Sequence, residues 1–255
     1  MKKIIVANWK MAPASFLGAE KRFQAIKRTA NKVRGVQTVI CPPMLYLGEL
    51  AKNVTGHRLL VGAQNAFWNE EEAHTGEHSP DMLVRAGAKY VILGHSERRA
   101  LGEPNEMIRA KVTACLASGL TVIVCVGEQE RDTQGNYTKF IANQVRQSLP
   151  KKAAKKRLRG DLIVAYEPLW AIGKKAKRVA SVEDAVEAMI LIKKTLVGMY
   201  GKSATTIPVL YGGSVNEKNA REFLEQETIG GLLVGRAGLD PERFSLILTA
   251  MQKKK

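Results

Sequence analysis

Short apolar runs recur along the whole chain: Lys3–Trp9, Val36–Cys41, Leu59–Ala63, Tyr90–Leu93, Thr121–Val126, Leu162–Tyr166, Ile207–Tyr211 and Leu232–Val234. Most are continuous and β-branched rather than alternating, which is the pattern of strands buried on both faces. Between them the apolar positions take helical spacing. Ser181 offers a hydroxyl cap ahead of Val182, Val186, Met189 and Ile190. Pro104-Asn105-Glu106 opens a second helix that continues through Val112, Cys115 and Leu116. Asp240-Pro241-Glu242 opens the last one, with an acidic cap and proline at the first helical position. Strand and helix alternate through eight units, so the strands are parallel and each helix is a crossover.

Eight such units in 255 residues predict an α/β fold, a closed (β/α)8 barrel forming one domain over residues 1–255. The competing arrangement is an open doubly wound sheet. It would want a G-x-G-x-x-G turn after the first strand, where this chain has Asn8-Trp9-Lys10-Met11. No linker interrupts the pattern. The segment Pro150–Gly160, rich in lysine, reads as a solvated connection, and the tail Gln252–Lys255 as a frayed end.

Composition narrows the function classes. No apolar run reaches the length that spans a bilayer, and the basic start is too short in its apolar part for a signal peptide. Three cysteines, Cys41, Cys115 and Cys125, make no disulfide framework, and no Cys or His pair has zinc-site spacing. The chain therefore reads as a cytoplasmic protein with reduced thiols and no metal. Its charge is unusual: 40 Lys+Arg against 24 Asp+Glu, a formal net charge of +16. Such a surface attracts anions, whether a phosphorylated metabolite or, nonspecifically, a polyanion. Aromatic residues amount to only 6% and nowhere interleave with the basic ones, which argues against a specific nucleic-acid platform.

In a barrel of this kind, chemistry gathers at the carboxyl ends of the strands. Asn8 and Lys10 leave the first strand; two residues apart on an extended strand, they share a face. A lysine there serves as a cation for an anionic substrate, or as half of a buried ion pair. His95 follows the fourth strand and opens a short helix, where a helix N-terminus disfavours the imidazolium. Glu97-Arg98-Arg99 beside it has an acid near the mouth, while the two arginines read as a surface ion-pair run. Glu167 ends the sixth strand, held extended by Pro168, and is placed for general-base work or for pairing with Lys10. Gly212-Gly213-Ser214 and Gly235-Arg236 follow the seventh and eighth strands, where backbone N–H groups bind phosphate in many barrels.

These residues resemble the triosephosphate isomerase family from Lys3 to about Leu248. The matching stretches are Ala7-Asn8-Trp9-Lys10-Met11, Gly94–Arg99, Cys125-Val126-Gly127-Glu128, Ala165–Gly173, Tyr211-Gly212-Gly213-Ser214-Val215 and Leu233-Val234-Gly235. The resemblance implies interconversion of dihydroxyacetone phosphate and glyceraldehyde 3-phosphate, with no cofactor or metal. Glu167 would be the base, His95 the neutral imidazole, and Lys10 and Asn8 the stabilisers of the enediolate, with Glu97 beside them. Phosphate would lie on Gly173, Ser214, Gly235 and Arg236, also reached by Asn8 and Lys10. A lid from Pro168 to about Ala180 would close with Ile172 and Leu233 as its apolar clamp. The loop Glu70–Ser79, around Thr75, would plug into a second copy to give a homodimer.

The chain departs from the family in places. Where Thr-Gly-Lys is usual after Gly173, it has Lys174-Lys175-Ala176-Lys177-Arg178, and the proline before the next helix is missing. These cations are expected to repel one another and to gain from approaching a bound phosphate. Arg236 stands for a common glycine and Ala12 for a common asparagine. Two rival readings remain at this level: a barrel of the same descent acting on another phosphorylated sugar, and a basic polyanion-binding protein.

Overall fold

The computed structural model describes residues 2–68, 73–151, 161–172, 176 and 178–252. Eight parallel strands close into a barrel in chain order: β1 (Lys3–Asn8), β2 (Val36–Cys41), β3 (Leu59–Ala63), β4 (Tyr90–Leu93), β5 (Thr121–Val126), β6 (Leu162–Tyr166), β7 (Val209–Tyr211) and β8 (Gly231–Val234). The ring closes where β1 pairs with β8, Ile4 opposite Gly231 and Ala7 opposite Val234. The helices between them are α1 (Phe16–Ala30), α2 (Met44–Lys52), α3 (Pro80–Arg85), α4 (Ser96–Ala100), α5 (Asn105–Ala117), α6 (Asn136–Ser148), α7 (Val182–Tyr200), α8 (Ala220–Leu224) and α9 (Pro241–Thr249).

Strand boundaries move slightly from expectation. β1 stops at Asn8 rather than Trp9, and β8 begins one residue early, at Gly231. β7 begins at Val209 rather than Ile207, because Pro208 has no N–H for a ladder and Ile207 is bonded back to Ala204 (3.1 Å). The predicted caps form. Ser181 and Asp184 make a reciprocal capping box at α7, and Asp240 accepts from the N–H groups of Glu242 and Arg243 at α9.

Side chains of alternate strand residues divide into two apolar clusters. Val6, Val39, Cys41, Ile92, Ile123, Cys125, Ile163, Ala165, Leu210 and Leu233 fill the barrel. The intervening residues, such as Ile5, Ala7, Val122, Val124 and Val164, meet the helices outside. Continuing the inward parity by one step lands on Asn8, the last residue of β1, and on Glu167, just past β6. The alternation that packs the interior thus also aims these two polar side chains into the mouth. Among the described residues, no helix is long and apolar enough to cross a membrane.

Candidate active site

Lys10 reaches the mouth by a different route from the one its spacing suggested. It lies past the end of β1, in a left-handed conformation (φ 51°), so it shares no strand face with Asn8. A non-glycine residue adopts this conformation only when its surroundings hold it there. Two hydrogen bonds do so: its N–H donates to Asn8 Oδ1 (3.1 Å), and its carbonyl accepts from Gln64 Nε2 (2.9 Å). The ammonium then meets Glu97 Oε1 at 2.5 Å, both side chains open to solvent. The alternative of a buried ion pair is thereby replaced by an exposed one that substrate can reach. Asn8 itself is buried.

His95 caps α4 with its own ring. Nδ1 accepts from the Glu97 N–H (3.2 Å), so that nitrogen carries no proton. A ring with one accepting nitrogen holds its proton on the other, and Nε2 lies 3.1 Å from Glu167 Oε1. The second Glu167 oxygen accepts from the Ser96 N–H (3.0 Å). Lys10, Glu97, His95 and Glu167 therefore form one chain of contacts, built from the ends of β1, β4 and β6. It presents an exposed cation, one N–H and one carboxylate to a common space.

The carboxylate of Glu167 stands 3% exposed on a backbone that leaves no freedom around it. Its N–H bonds to Val126 O (2.8 Å), and a Cβ on Gly127 would lie 1.7 Å from the Glu167 carbonyl oxygen. A Cβ on Gly212 would lie 3.0 Å from its Cγ, so the first glycine after β7 is the floor on which the base rests. Burial first, and then the Glu167 carboxylate, pushes the Cys125 thiol well up, so it stays protonated beside the base.

Four supporting residues were not assigned from sequence. Arg99, expected on the surface, instead runs inward to Gly94 O (2.7 Å), Cys125 O (2.9 Å) and Asn105 Oδ1 (2.6 Å), tying the loop after β4 to the end of β5. Its burial lowers its pKa from the ordinary value. Arg98 pairs with Glu103, which also takes the buried Lys111 ammonium (2.7 Å). Ser96 contributes its backbone N–H. Glu128 takes Tyr166 OH (2.8 Å) and Trp170 Nε1 (2.7 Å) on one oxygen, while its carbonyl accepts from Leu169 N–H (3.0 Å). Burial pushes its carboxyl up, against those two hydrogen bonds, and its other oxygen has no partner among the described residues. The signal for these residues was present, since they lie inside the motifs Gly94–Arg99 and Cys125–Glu128; what was absent was the identity of their partners.

The other side of the mouth is made of backbone. Gly213 and Ser214 follow β7, and a short 3-10 turn, Arg236–Leu239, opens directly after Gly235. A Cβ on Gly235 would meet the Lys10 side chain at 3.9 Å, which places this turn beside the ammonium. Arg236 points its side chain to solvent, leaving the backbone as its contribution to the mouth. The Ser214 hydroxyl donates to Ala171 O (2.9 Å) and so joins the turn after β7 to the segment after β6. Ile172 stands half-buried at the end of the 3-10 turn Leu169–Ala171; Leu233 is buried inside the barrel next to Gly212. Gly173, Lys174, Lys175 and Lys177 lie outside the described residues, as do Glu70–Glu72 of the loop around Thr75. Arg178, grouped above with the phosphate-seeking cations, is instead paired with Asp184.

The family model described as Triosephosphate isomerase matches residues 3–251. The chain is 38% identical over 250 residues to the triosephosphate isomerase of Aquifex aeolicus, covering 97% of this chain and 99% of that one. It is 41% identical over 252 residues to that of Caulobacter vibrioides, covering 98% and 97%. The crystal structure of triosephosphate isomerase from Bartonella henselae superposes with a TM-score of 0.84 at 31% identity, over 99% of this chain and all of that one. A match across nearly the whole length, on a closed eight-stranded barrel with these groups at its mouth, means that the chain belongs to the triosephosphate isomerase family.

Proposed function

We propose that Glu167, His95, Lys10 and Asn8 carry out the family's reaction, the interconversion of dihydroxyacetone phosphate and glyceraldehyde 3-phosphate. This is an aldose–ketose isomerisation by proton transfer through an enediolate. Glu167 takes a proton from the carbon beside the carbonyl; the C–H electron pair becomes a carbon–carbon double bond, and the carbonyl oxygen takes on negative charge. That charge develops next to His95 Nε2–H and the Lys10 ammonium, donors already in place before the reaction starts. Returning the proton to the neighbouring carbon, with the oxygen protons exchanged through His95, completes the isomerisation. Asn8 sets the Lys10 turn, and Glu97 orients Lys10 and His95 together. Phosphate lies on the backbone of Ser214, Gly235 and Arg236, with Ile172 and Leu233 covering the site and excluding water from the intermediate; Gly173, the remaining phosphate position, lies outside the described residues.

The observation that carries this reading is the single contact chain from Lys10 through Glu97 and His95 to Glu167. A coupled assay of isomerase turnover on the purified chain tests it: activity on the triose phosphates supports it, and none on either contradicts it. Among the described residues, the polyanion-binding reading has no comparable constellation.

We also infer a homodimer through the loop around Thr75. Exposed Thr75 and Gly76 sit in a loop whose base is closed by Phe67 N–H to His78 O (2.9 Å). Large apolar side chains stand exposed in the first half of the chain, Met11 at 97%, Leu45 at 86%, Leu101 at 78% and Met82 at 53%. Burying such side chains against a second copy would remove apolar surface from water. Sedimentation velocity is expected to give a species of about twice 28.0 kDa, and a species at 28.0 kDa would contradict the inference. Reduced cysteines and a metabolic substrate support a cytoplasmic location.

A further inference from the structure

We propose that Arg178 is a positioning residue for the phosphate side of the active site, acting through Trp170. Its guanidinium lies over the Trp170 ring at 4.4 Å and forms a two-pronged pair with the Asp184 carboxylate, one of the two hydrogen bonds at 3.0 Å. Asp184 is not a loose surface acid. It closes the capping box of α7, with its carboxylate accepting from the Ser181 N–H (2.9 Å), and its carbonyl accepts from Arg131 Nη1 (3.1 Å). Arg178 therefore bridges a rigid helix end to an aromatic ring eight residues earlier in the chain.

Trp170 is enclosed on its other sides as well. Glu128 takes its indole N–H, and Arg131, stacked on Tyr137 at 4.5 Å and paired with Glu187, lies 5.9 Å from the ring. Without Arg178, the outward face of the indole would be uncovered while its polar edge stayed anchored. The ring would then tilt about its Glu128 bond. The next residue, Ala171, gives its carbonyl to the Ser214 hydroxyl, and Ser214 is one of the assigned phosphate contacts. The path from Arg178 to phosphate thus has three links: guanidinium on indole, indole to the adjoining carbonyl, and carbonyl to Ser214. It bypasses Glu167 and His95, which are held by Ser96 and by each other. Arg178 should therefore affect binding of the phosphate group and leave the proton transfer alone.

This inference rests on the assignment of phosphate to the turns after β7 and β8. The test is steady-state kinetics of the full chain and its Arg178→Ala and Arg178→Lys variants, with inorganic phosphate as a competitive inhibitor. A cation–aromatic contact and a partly exposed ion pair together predict a rise in KM and in the phosphate inhibition constant of about three- to tenfold for Arg178→Ala. The account expects kcat to stay within about twofold, since the groups that stabilise the transition state are untouched. Lysine preserves the charge opposite Asp184 but not the planar stack, so Arg178→Lys should resemble Arg178→Ala. Iodide quenching of the Trp170 emission, isolated by subtraction of a Trp170→Phe variant, should increase in both. An unchanged KM and phosphate constant in Arg178→Ala would overturn the inference, as would full recovery in Arg178→Lys. If inorganic phosphate fails to compete even with the unsubstituted chain, it is the phosphate assignment itself that fails.

Discussion

At the ends of β1, β4 and β6, the mouth is built from side chains that hold one another: Lys10 on Glu97, Glu97 on His95, His95 on Glu167. At the ends of β7 and β8, it is built from Gly212, Gly213, Gly235 and the backbone of Ser214 and Arg236, with a serine hydroxyl turned to a carbonyl. In the proposed mechanism, one side moves protons and needs particular chemical groups at particular points. The other is proposed to recognise a dianion whose oxygens want N–H donors, which every residue but proline carries. Substitution tolerance should differ accordingly. On the proton side, identity matters; on the phosphate side, backbone geometry matters and the exposed side chains are expendable.

The sharpest break of that contrast is Glu167→Gln. It keeps the shape and the Ser96 bond but cannot accept a proton. The account expects kcat to fall by about 100- to 10,000-fold with an unchanged thermal midpoint, measured by coupled assay and calorimetry. Next in size is Gly212→Ala. Its methyl would press on Glu167 Cγ from 3.0 Å, and a base displaced by a fraction of an ångström should cost about tenfold in kcat with little change in KM. Arg236→Gly sharpens the comparison from the other side. With its side chain in solvent, kcat/KM should change by less than about threefold, mostly through weaker electrostatic attraction that vanishes at high salt. A large loss there would mean that the phosphate side uses side chains after all.

The smallest expected effect concerns pH. The Arg178 guanidinium, together with the Ser181 N–H, holds the Asp184 carboxyl down at about 2, below its value of 3.8 in an unfolded chain. A carboxyl depressed on folding stabilises the native state above its unfolded pKa, and that contribution is lost as pH falls towards the folded one. Melting temperatures followed from pH 5 downward should therefore fall with acid. Asp184→Asn should lower the midpoint at pH 5 slightly and flatten the acid slope, tempered by solvent screening at the exposed Arg178 end of the pair.

How far the chain could be read without its fold depended on where each residue's partners lie. Asn8 and Glu167 were legible because strand parity and a following proline are local. His95 was legible as a helix opener for the same reason, and its ring caps its own turn. Lys10 was placed correctly by the wrong argument: a positive φ depends on Gln64, which is 54 residues away, and no pattern near Lys10 announces it. Arg99 looked like a surface residue because its neighbours Glu97 and Arg98 are charged, yet its acceptors come from β5 and α5. Arg178 looked like a free cation because a run of lysines precedes it. Its partner Asp184 lies in the first turn of α7, and its stacking on Trp170 needs the chain to double back. The boundaries of β7 shifted for a reason that was visible in advance, a proline at 208, whose effect depends on which strand lies beside it.

The account rests on Glu167 passing a proton between two carbons with the charge held as an enediolate, and isomerisation in deuterium oxide tests that most directly. A proton carried on a carboxylate can exchange with solvent before it is returned. The product formed in deuterium oxide, examined by NMR at low conversion, should therefore carry deuterium at the carbon that was reprotonated, and Glu167→Gln should suppress turnover and label together. Normal turnover with normal deuterium incorporation in Glu167→Gln would contradict the role given to Glu167.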